Sequence, residues 1–269
     1  MAREFDFYII PTPIGNIADI TLRALEILKS VDIIACEDTR ITQKLLNHYS
    51  IGTRCVSYHK YNERERINFF IEELKSGKRI ALVSDAGTPM ICDPGNVIVK
   101  ALREEGFSIT SLPGACAVTT FLSQIPRGDE EFCFVGFSPR GEKQILEMCK
   151  KYAGLNFVFY ESPERLLKTL ELLKDILGDV DIAIGRELSK LFEEIFIGTV
   201  SEALKHYKTG VKGEIICLVY ASENSEDIKI EQKIKELKQK GFKDKEISII
   251  LSTVLGLCKN DVYKKSLSL

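Results

Sequence analysis

The sequence lacks the short motifs that mark the most common nucleotide-binding and hydrolytic α/β enzymes. Its 269 residues contain no G-x-G-x-x-G, no G-x-x-x-x-G-K-[ST] and no G-x-S-x-G. An ordinary dinucleotide site, a nucleoside-triphosphate P-loop and a serine-hydrolase elbow therefore have no support. The chain also has no long internal repeat and no low-complexity segment, so repeat architectures are not expected.

Clustered metal ligands and long apolar runs are missing as well. The eight cysteines form no C-x-x-C pair and the three histidines are scattered, so we expect no metal site. No apolar run approaches the ~18 residues of a membrane helix, and the N-terminus does not read as a signal peptide. With a net charge of −2, these features predict a soluble cytoplasmic protein whose cysteines are mostly small buried side chains. We expect neither a membrane nor DNA as a partner.

Short strands alternate with amphipathic helices in the first half of the chain. Strands are predicted at residues 5–10, 31–36, 79–84 and 107–112, with helices at 21–31, 39–49, 62–77 and 95–105. The strand at 79–84 has a near-continuous apolar core, which is typical of strands covered on both faces. This alternation predicts a mainly parallel, right-handed α/β sheet whose ligands bind at the carboxyl ends of the strands.

A second α/β block and a basic helical tail follow. Strands are predicted at 131–137, 156–160, 180–185, 192–198 and 213–220, and the short connection between the last two favours a mixed sheet. Three short helices are predicted at 228–240, 244–255 and 260–267. From residue 226 onward there are ten lysines and seven acidic residues, a net charge of +3. We therefore predict an α/β domain at 1–115, a second α/β domain at 116–222 and a small helical C-terminal module at 226–269.

Four loops at the ends of predicted strands carry residues suited to holding a ligand. Residues 11–16 combine two prolines with Gly15, and residues 84–95 are rich in aspartate, glycine and proline. In the second loop, Asp85 could accept hydrogen bonds from ligand hydroxyls or an amine. Residues 112–117 offer small residues at a helix start, and residues 160–163 end with Ser162 and Pro163, which we expect to cap and open a helix. Each loop taken alone also fits a purely structural turn.

These loops, in this order, resemble the tetrapyrrole-methylase superfamily, and within it the bacterial 16S ribosomal RNA (cytidine 2'-O)-methyltransferases. The matching stretches are residues 11–16 with 19–25, Glu37-Asp38-Thr39-Arg40, residues 84–89 with Asp93-Pro94-Gly95, residues 160–163 and Arg186-Glu187-Leu188-Ser189-Lys190. The resemblance runs from about residue 7 to residue 219, and the tail looks like that family's C-terminal module. Each loop is a weak signal alone, whereas the combination is highly specific.

The resemblance implies two α/β domains of the non-Rossmann, class III methyltransferase type and a small helical C-terminal module. It also implies S-adenosyl-L-methionine as cofactor, ribosomal RNA or the small ribosomal subunit as partner, and a homodimer. The residues that would contact the cofactor are Pro13, Ser84, Asp85, Ala86, Cys116, Ala117, Tyr160, Glu161, Leu188, Gly213 and Glu214. The chain departs from the family where Met90 replaces a common glycine, Cys92 and Cys116 replace serines, and Ser189 replaces a threonine.

Lys190, with Glu187 close by in sequence, is the candidate that helps a ribose 2'-hydroxyl lose its proton. A structural ion pair is the alternative interpretation of Lys190. Arg40, Arg140, Lys143 and the lysine-rich tail are candidates for binding RNA, although each also fits an ordinary solvated charge.

Two other functions compete with this interpretation. The first is a small-molecule methyltransferase of the same fold acting on a porphyrin or corrin precursor, for which a basic tail has no obvious use. The second is a non-catalytic ribosome-binding factor, which the departures at Cys116 and Met90 keep open.

Overall fold

The computed structural model describes residues 4–128, 130–152, 154–221 and 225–269. Its backbone contacts define two compact units. The first comprises Met1–Gln124 and Gly185–Glu194, and the second comprises Ile125–Ile184 and Ile195–Leu269. These units differ from the domain ranges 1–115, 116–222 and 226–269, which stay a prediction. The segment Gly185–Glu194 belongs with the first unit although it lies far along the chain.

The first unit is built on a five-stranded sheet with the order β3-β2-β4-β1-β5. Its strands are β1 (Phe7–Ile10), β2 (Ile33–Cys36), β3 (Arg54–Ser57), β4 (Ile80–Val83) and β5 (Ile109–Ser111). The helices are α1 (Leu22–Ser30), α2 (Thr39–His48), α3 (Glu63–Lys75), α4 (Asn96–Glu104) and α5 (Ala117–Leu122). Every strand pairing in this sheet is parallel, which confirms the mainly parallel sheet that the sequence predicts.

Helices cover both faces of this sheet. Ile80 and Leu82 of β4 belong to one hydrophobic cluster, which includes Phe70 of α3. Ala81 and Val83 of the same strand belong to a second cluster on the opposite face. Because side chains alternate along a strand, a strand buried on both faces needs a continuous apolar run, as β4 has.

The second unit contains a five-stranded mixed sheet with the order β6-β7-β10-β8-β9. Its strands are β6 (Phe132–Phe137), β7 (Asn156–Glu161), β8 (Asp181–Arg186), β9 (Glu194–Thr199) and β10 (Ile215–Val219). Its helices in this part are α6 (Glu142–Tyr152), α7 (Leu166–Leu177) and α8 (Val200–His206). β6 is parallel to β7 whereas β10 is antiparallel to β7, which confirms the mixed sheet.

Several local predictions were wrong. β3 was not predicted, and α8 occupies the connection between β9 and β10 that we expected to be a short segment. α7 begins at Leu166 rather than at Pro163, and the Ser162 hydroxyl accepts from the Arg165 guanidinium instead of capping the helix. The helix predicted at 62–77 spans Glu63–Lys75, and the Asn62 side chain before it bonds backbone groups of the preceding turn rather than capping the helix amides.

The tail forms the three predicted helices, α9 (Ser225–Gln239), α10 (Asp244–Leu255) and α11 (Lys259–Ser268). A small cluster of buried residues joins them: Ile234, Ile247, Leu251 and Val262. Gly256 ends α10 in the left-handed conformation, with φ 69° and ψ 18°. Across the described part of the chain, none of the helices combines the length and apolarity needed to cross a membrane.

Candidate functional site

Three of the predicted ligand loops interlock at one edge of the first sheet. They follow β1, β4 and β5, which are neighbours in the sheet. Thr12 and Gly87 exchange two backbone hydrogen bonds of 2.9 Å, and the Thr12 hydroxyl donates to the Ser84 carbonyl at 3.0 Å. The Thr88 hydroxyl donates to the Ala115 carbonyl at 2.9 Å, which fixes the third loop to the second. Residues 11–16, 84–95 and 112–117 therefore form one assembly at the carboxyl ends of the strands, where ligands bind in such sheets.

Ser84 and Gly87 give the second loop its shape. Ser84 is buried, and its hydroxyl donates to the Gly87 carbonyl at 3.0 Å. Gly87 has φ +79°, and a Cβ there would lie 3.2 Å from Cγ2 of Ile14. A side chain at Gly87 would thus meet both backbone strain and a neighbouring loop. The predicted cofactor role of Ser84 stays a prediction, since its hydroxyl already serves the loop.

Asp85 has the properties of a ligand-binding carboxylate. It is half-buried, and its Oδ1 accepts a hydrogen bond of 3.1 Å from the Asp38 backbone amide. No described residue donates a hydrogen bond to its Oδ2. Burial raises the pKa of Asp85, and it also raises the pKa of the nearby Glu37 and Asp93, with repulsion from Asp85 adding to the effect. Binding a donor at Oδ2 would relieve an energetically unfavourable arrangement of buried charge.

Arg40 pairs with a carboxylate on its own helix start. Its Nε and Nη2 lie 3.0 and 2.6 Å from the two oxygens of Asp38, and this pairing lowers the pKa of Asp38 to about 2. The Arg40 side chain is nevertheless 86% exposed, so its predicted contact with RNA stays a prediction. Among the described residues, no cluster of three or more histidine, cysteine, aspartate or glutamate side chains is placed to hold a metal ion.

The segment Gly185–Glu194 brings the two predicted catalytic residues to the first unit. Lys190 Nζ lies 2.8 Å from Oε1 of Glu187, so the two form an ion pair. Leu188 between them is buried. This contact is the structural ion pair weighed above, and it also holds the amine and the carboxylate together as a unit that can exchange a proton. The catalytic role of the pair stays a prediction.

Cys116 and Ala117 lie where the third loop enters α5. Cys116 occupies the N-cap position with extended φ and ψ, and its side chain makes no capping hydrogen bond. A serine at this position could accept from a first-turn amide, which sulfur does poorly. The departure from the family's serine therefore leaves a helix end without its side-chain cap. The neighbouring predicted residues Pro13 and Ala86 lie in the interlocked loops, half-buried and exposed respectively.

The remaining predicted cofactor residues lie together at one end of the second sheet. Tyr160 and Glu161 end β7, and Ile215 of β10 pairs with Glu161, so Gly213 and Glu214 directly precede the same position. The Glu161 side chain is fully buried and accepts from the Ser162 amide at 2.7 Å and from the Thr169 hydroxyl at 2.5 Å. It also pairs with Arg165. Glu161 thus has a structural role in its own unit, and cofactor contacts by these residues stay a prediction.

Arg165 is an organising residue that the sequence analysis missed. Besides Glu161, its guanidinium donates to the carbonyls of Ser138 and Pro139 at 3.0–3.3 Å. It therefore fixes the segment that carries the predicted RNA-binding residues Arg140 and Lys143, both of which are exposed. The i, i+4 spacing of Glu161 and Arg165 was the available signal, but that spacing is common on helix surfaces and points to no site by itself.

Comparison with known proteins identifies the family. The family model for Tetrapyrrole (Corrin/Porphyrin) Methylases matches residues 6–204. The chain is 40% identical to a Halalkalibacterium halodurans protein named ribosomal RNA small subunit methyltransferase I, over 95% of this chain and 92% of that protein. Proteins of the same name from Bacillus subtilis and Escherichia coli O157:H7 are 46% and 39% identical, over 84% and 97% of this chain and 78% and 94% of theirs.

Solved structures of related fold agree with this assignment. A cobalt precorrin-4 methyltransferase superposes with a TM-score of 0.56 at 18% identity, over 80% of this chain and 94% of that chain. A uroporphyrin-III C-methyltransferase from Thermus thermophilus gives a TM-score of 0.54 at 16% identity, over 82% and 97%. At such low identity these likenesses support the fold alone, and they confirm the predicted fold class. The chain therefore belongs to the tetrapyrrole (corrin/porphyrin) methylase family, together with the ribosomal RNA small subunit methyltransferase I proteins.

Proposed function

We propose that the chain methylates the ribose 2'-oxygen of a cytidine in 16S ribosomal RNA, with S-adenosyl-L-methionine as methyl donor. The observation that carries this proposal is the extent of the similarity. The Halalkalibacterium halodurans and Escherichia coli O157:H7 proteins named ribosomal RNA small subunit methyltransferase I match 95% and 97% of this chain, so these two matches extend into the basic tail. A small-molecule methyltransferase of the same fold would have no obvious need for that tail.

The loop assembly of the first unit fits the proposed cofactor. The free Oδ2 of half-buried Asp85 suits the amine or hydroxyl donors of the cofactor, and Ala86 is small and exposed beside it. When bound, S-adenosyl-L-methionine supplies a methyl group on a positively charged sulfur. The chain's own part is to orient the acceptor, since an in-line displacement gains most of its acceleration from positioning.

Lys190 and Glu187 are the proposed catalytic pair. A 2'-hydroxyl is a weak nucleophile at neutral pH and must lose its proton as it reacts. When the proton shared by the pair resides on the Glu187 carboxyl 2.8 Å away, the neutral Nζ of Lys190 takes the hydroxyl proton, and the pair then releases one proton to solvent. K190M should therefore lower kcat by about 100-fold or more while leaving cofactor binding intact. Calorimetric affinity for the cofactor, measured beside single-turnover rates, checks this expectation.

The helical tail is the proposed RNA-holding element. α10 and α11 are joined by a three-residue turn, residues 256–258, with left-handed Gly256, a connection of the length found in helix-turn-helix motifs. Val262 and Ser266 of α11 are buried, while Lys259, Asn260 and Lys264 are exposed. This surface offers cations and an amide to a phosphate backbone. Arg140 and Lys143 in the second unit and Arg40 in the first are the further proposed phosphate contacts.

Salt dependence of binding tests the tail directly. The double variant K259Q/K264Q should weaken binding to small ribosomal subunits and reduce the slope of log affinity against log salt by about 1 for each lost phosphate contact. K100Q is the control, because Lys100 is 78% exposed on α4 and faces Glu104. An unchanged slope in the double variant, with a changed sedimentation coefficient, would instead assign this surface to the homodimer that we also propose.

The reaction is tested in cells and with purified components. In cells that lack the protein, 16S ribosomal RNA should lack one ribose methyl group, and complementation should restore it. Mass spectrometry of the RNA measures both changes. Labelled methyl transfer to small subunits, compared with transfer to a porphyrinogen, separates the proposal from a small-molecule enzyme. Failure to bind S-adenosyl-L-methionine would favour the non-catalytic ribosome factor. We place the reaction in the cytoplasm, where the ribosomal substrate occurs.

A further inference from the structure

We propose that Asp19 and Ser189 are positioning residues that hold the Lys190 loop against the first ligand loop; this inference rests on the proposed function of Lys190. Asp19 begins one matching stretch of the sequence and Ser189 lies in another. In the structure the Ser189 hydroxyl donates to the Asp19 carboxylate across a separation of 170 residues. The contact lies wholly within the first unit.

The loop around Lys190 is strained in a way that requires such support. Glu187 and Ser189 have φ values of 51° and 65°, so two non-glycine residues occupy the left-handed region on either side of Leu188. Each costs free energy relative to an ordinary conformation, and such residues persist only where surrounding contacts impose them. Strained backbone of this kind is common at functional sites. The positive φ values of Glu187 and Ser189 therefore indicate that the loop carrying Lys190 has a function.

Hydrogen bonds to residues 16 and 19 and hydrogen bonds within the loop impose this conformation. The Ser189 hydroxyl accepts from the Asn16 amide at 3.1 Å while it donates to Asp19. The Ser189 amide donates to Oε2 of Glu193 at 2.6 Å, and the Lys190 amide donates to the Glu187 carbonyl at 3.0 Å. Of these bonds, those of the Ser189 hydroxyl reach the first ligand loop and the turn behind it. Removing that hydroxyl or its acceptor therefore weakens the attachment of the loop to the first ligand loop.

Gly15 completes the contact by leaving room for the lysine. A Cβ at Gly15 would lie 2.5 Å from Cγ of Lys190 and 2.7 Å from the Leu188 carbonyl oxygen. The alkyl part of Lys190 thus passes directly over the backbone of the first ligand loop. The bond to Asp19 fixes the distance between the Lys190 loop and the first ligand loop. The contact with Gly15 fixes the direction of the Lys190 side chain.

The consequence is that the position of Nζ depends on Asp19. A displacement on the order of 1 Å at a reacting group can lower a rate by about 100-fold without changing ligand affinity. We therefore expect D19A and S189A to lower kcat by about 10- to 100-fold, with KM for cofactor and RNA changed less than about threefold. D19N should keep kcat within about threefold of the wild type, because its amide oxygen still accepts from the Ser189 hydroxyl.

T21A is the matched control. Thr21 caps α1 two residues beyond Asp19, where its hydroxyl accepts from the Ala24 amide, and it makes no part of the loop contact. T21A should lower thermal stability at least as much as D19A while retaining kcat. Equal kcat losses in T21A and D19A would overturn the inference, since the effect would then follow from stability alone. A fully active D19A would overturn it as well.

A second measurement does not depend on activity. Leu191 is 90% exposed, so trypsin can reach the peptide bond after Lys190 once the loop opens. D19A and S189A should be cleaved there at least about fivefold faster than wild type, T21A and D19N, because local opening no longer breaks the bond to Asp19. Unchanged cleavage would contradict the positioning role of the Asp19–Ser189 bond. If D19A and S189A are cleaved faster but the wild type transfers no methyl group to ribosomal RNA, the positioning role is upheld and the proposed function is rejected.

Discussion

The absence of a side chain at Gly15 allows the Lys190 loop to pack on the first ligand loop. A Cβ at this position would lie closer to Cγ of Lys190 and to the carbonyl oxygen of Leu188 than van der Waals contact permits. We expect G15A to lower the free energy of unfolding by about 1–3 kcal/mol, because the backbone oxygen cannot move aside cheaply. Chemical denaturation measures this, with G52A as control. Nothing lies within 4 Å of a Cβ at Gly52, so that variant should change stability by less than about 1 kcal/mol.

Cys116 is a position where a substitution should stabilise the protein. The extended backbone at this N-cap suits a serine, whose hydroxyl can accept from an amide in the first turn of α5. C116S should raise the free energy of unfolding by about 0.5–1 kcal/mol. C92S makes the same exchange at an exposed site that caps no helix and should stay within about 0.5 kcal/mol of wild type. Equal effects of the two substitutions would show that capping is not the cause.

The residue types in the sequence predicted which loops form the site, but they did not predict which residues those loops contact. Asp85 stood out because an acidic side chain in a glycine- and proline-rich loop after a buried strand has few structural uses, and the structure shows it half-buried with one oxygen available. The bond between Asp19 and Ser189 could not be foreseen, because helical or strand spacing carries no information about contacts 170 residues apart. Left-handed backbone at Glu187 and Ser189 was equally hidden, since neither is glycine.

At the scale of elements, the junction between β7 and α7 depends on a single guanidinium. Glu161 is fully buried and ionisable, and Arg165 pairs with it at the start of α7. R165M should lower the free energy of unfolding by about 3–5 kcal/mol, because it leaves a buried carboxylate without its cation. K168M in the same helix breaks only the exposed pair with Glu142 and should cost less than about 1 kcal/mol. Thermal or urea unfolding of both variants compares the two pairs, and similar losses would refute the assigned role of Arg165.

Long periodic elements were predictable, and short or context-dependent ones were not. α10 was predicted with the bounds that the structure has, because its apolar spacing and flanking glycines are strong signals. β3 has only four residues and a single buried one, so its alternation is too brief to recognise. The start of α7 was misplaced because Pro163 fits a first helical turn, whereas residues 163–165 form a turn held by the Ser162 carbonyl.

At the scale of the whole molecule, two sets of acidic residues in the first unit change the stability of the fold with pH in opposite directions. Burial raises the pKa of Glu37, Asp85 and Asp93, so the folded state holds their protons more tightly than the unfolded state. Their contribution to stability is complete below the ordinary carboxyl pKa of about 4 and is lost as pH rises through the raised values. Asp38 acts in the opposite sense, since its pKa is lowered to about 2. Its contribution is present above about pH 4 and is lost as pH falls through about 2.

Unfolding free energy measured against pH should reveal both effects. D93N should flatten the decline in stability above about pH 4 and make the protein more stable than wild type at pH 7. D38N keeps a helix-capping side chain but should be less stable than wild type at pH 7, with the difference shrinking toward pH 2. A D93N curve parallel to that of the wild type would mean that Asp93 titrates normally in the folded protein.

The return of Gly185–Glu194 to the first unit has a consequence for synthesis of the nascent chain. Translation passes Gln124 with every strand of the parallel sheet already made, yet the segment bearing Lys190 is still 70 residues from completion at Glu194, counting 194 − 124. At elongation rates of about 5–20 residues per second, that interval lasts roughly 4–14 s. During it, the loops that follow β1, β4 and β5 have been made without the segment that carries Lys190, the residue that we propose as the base.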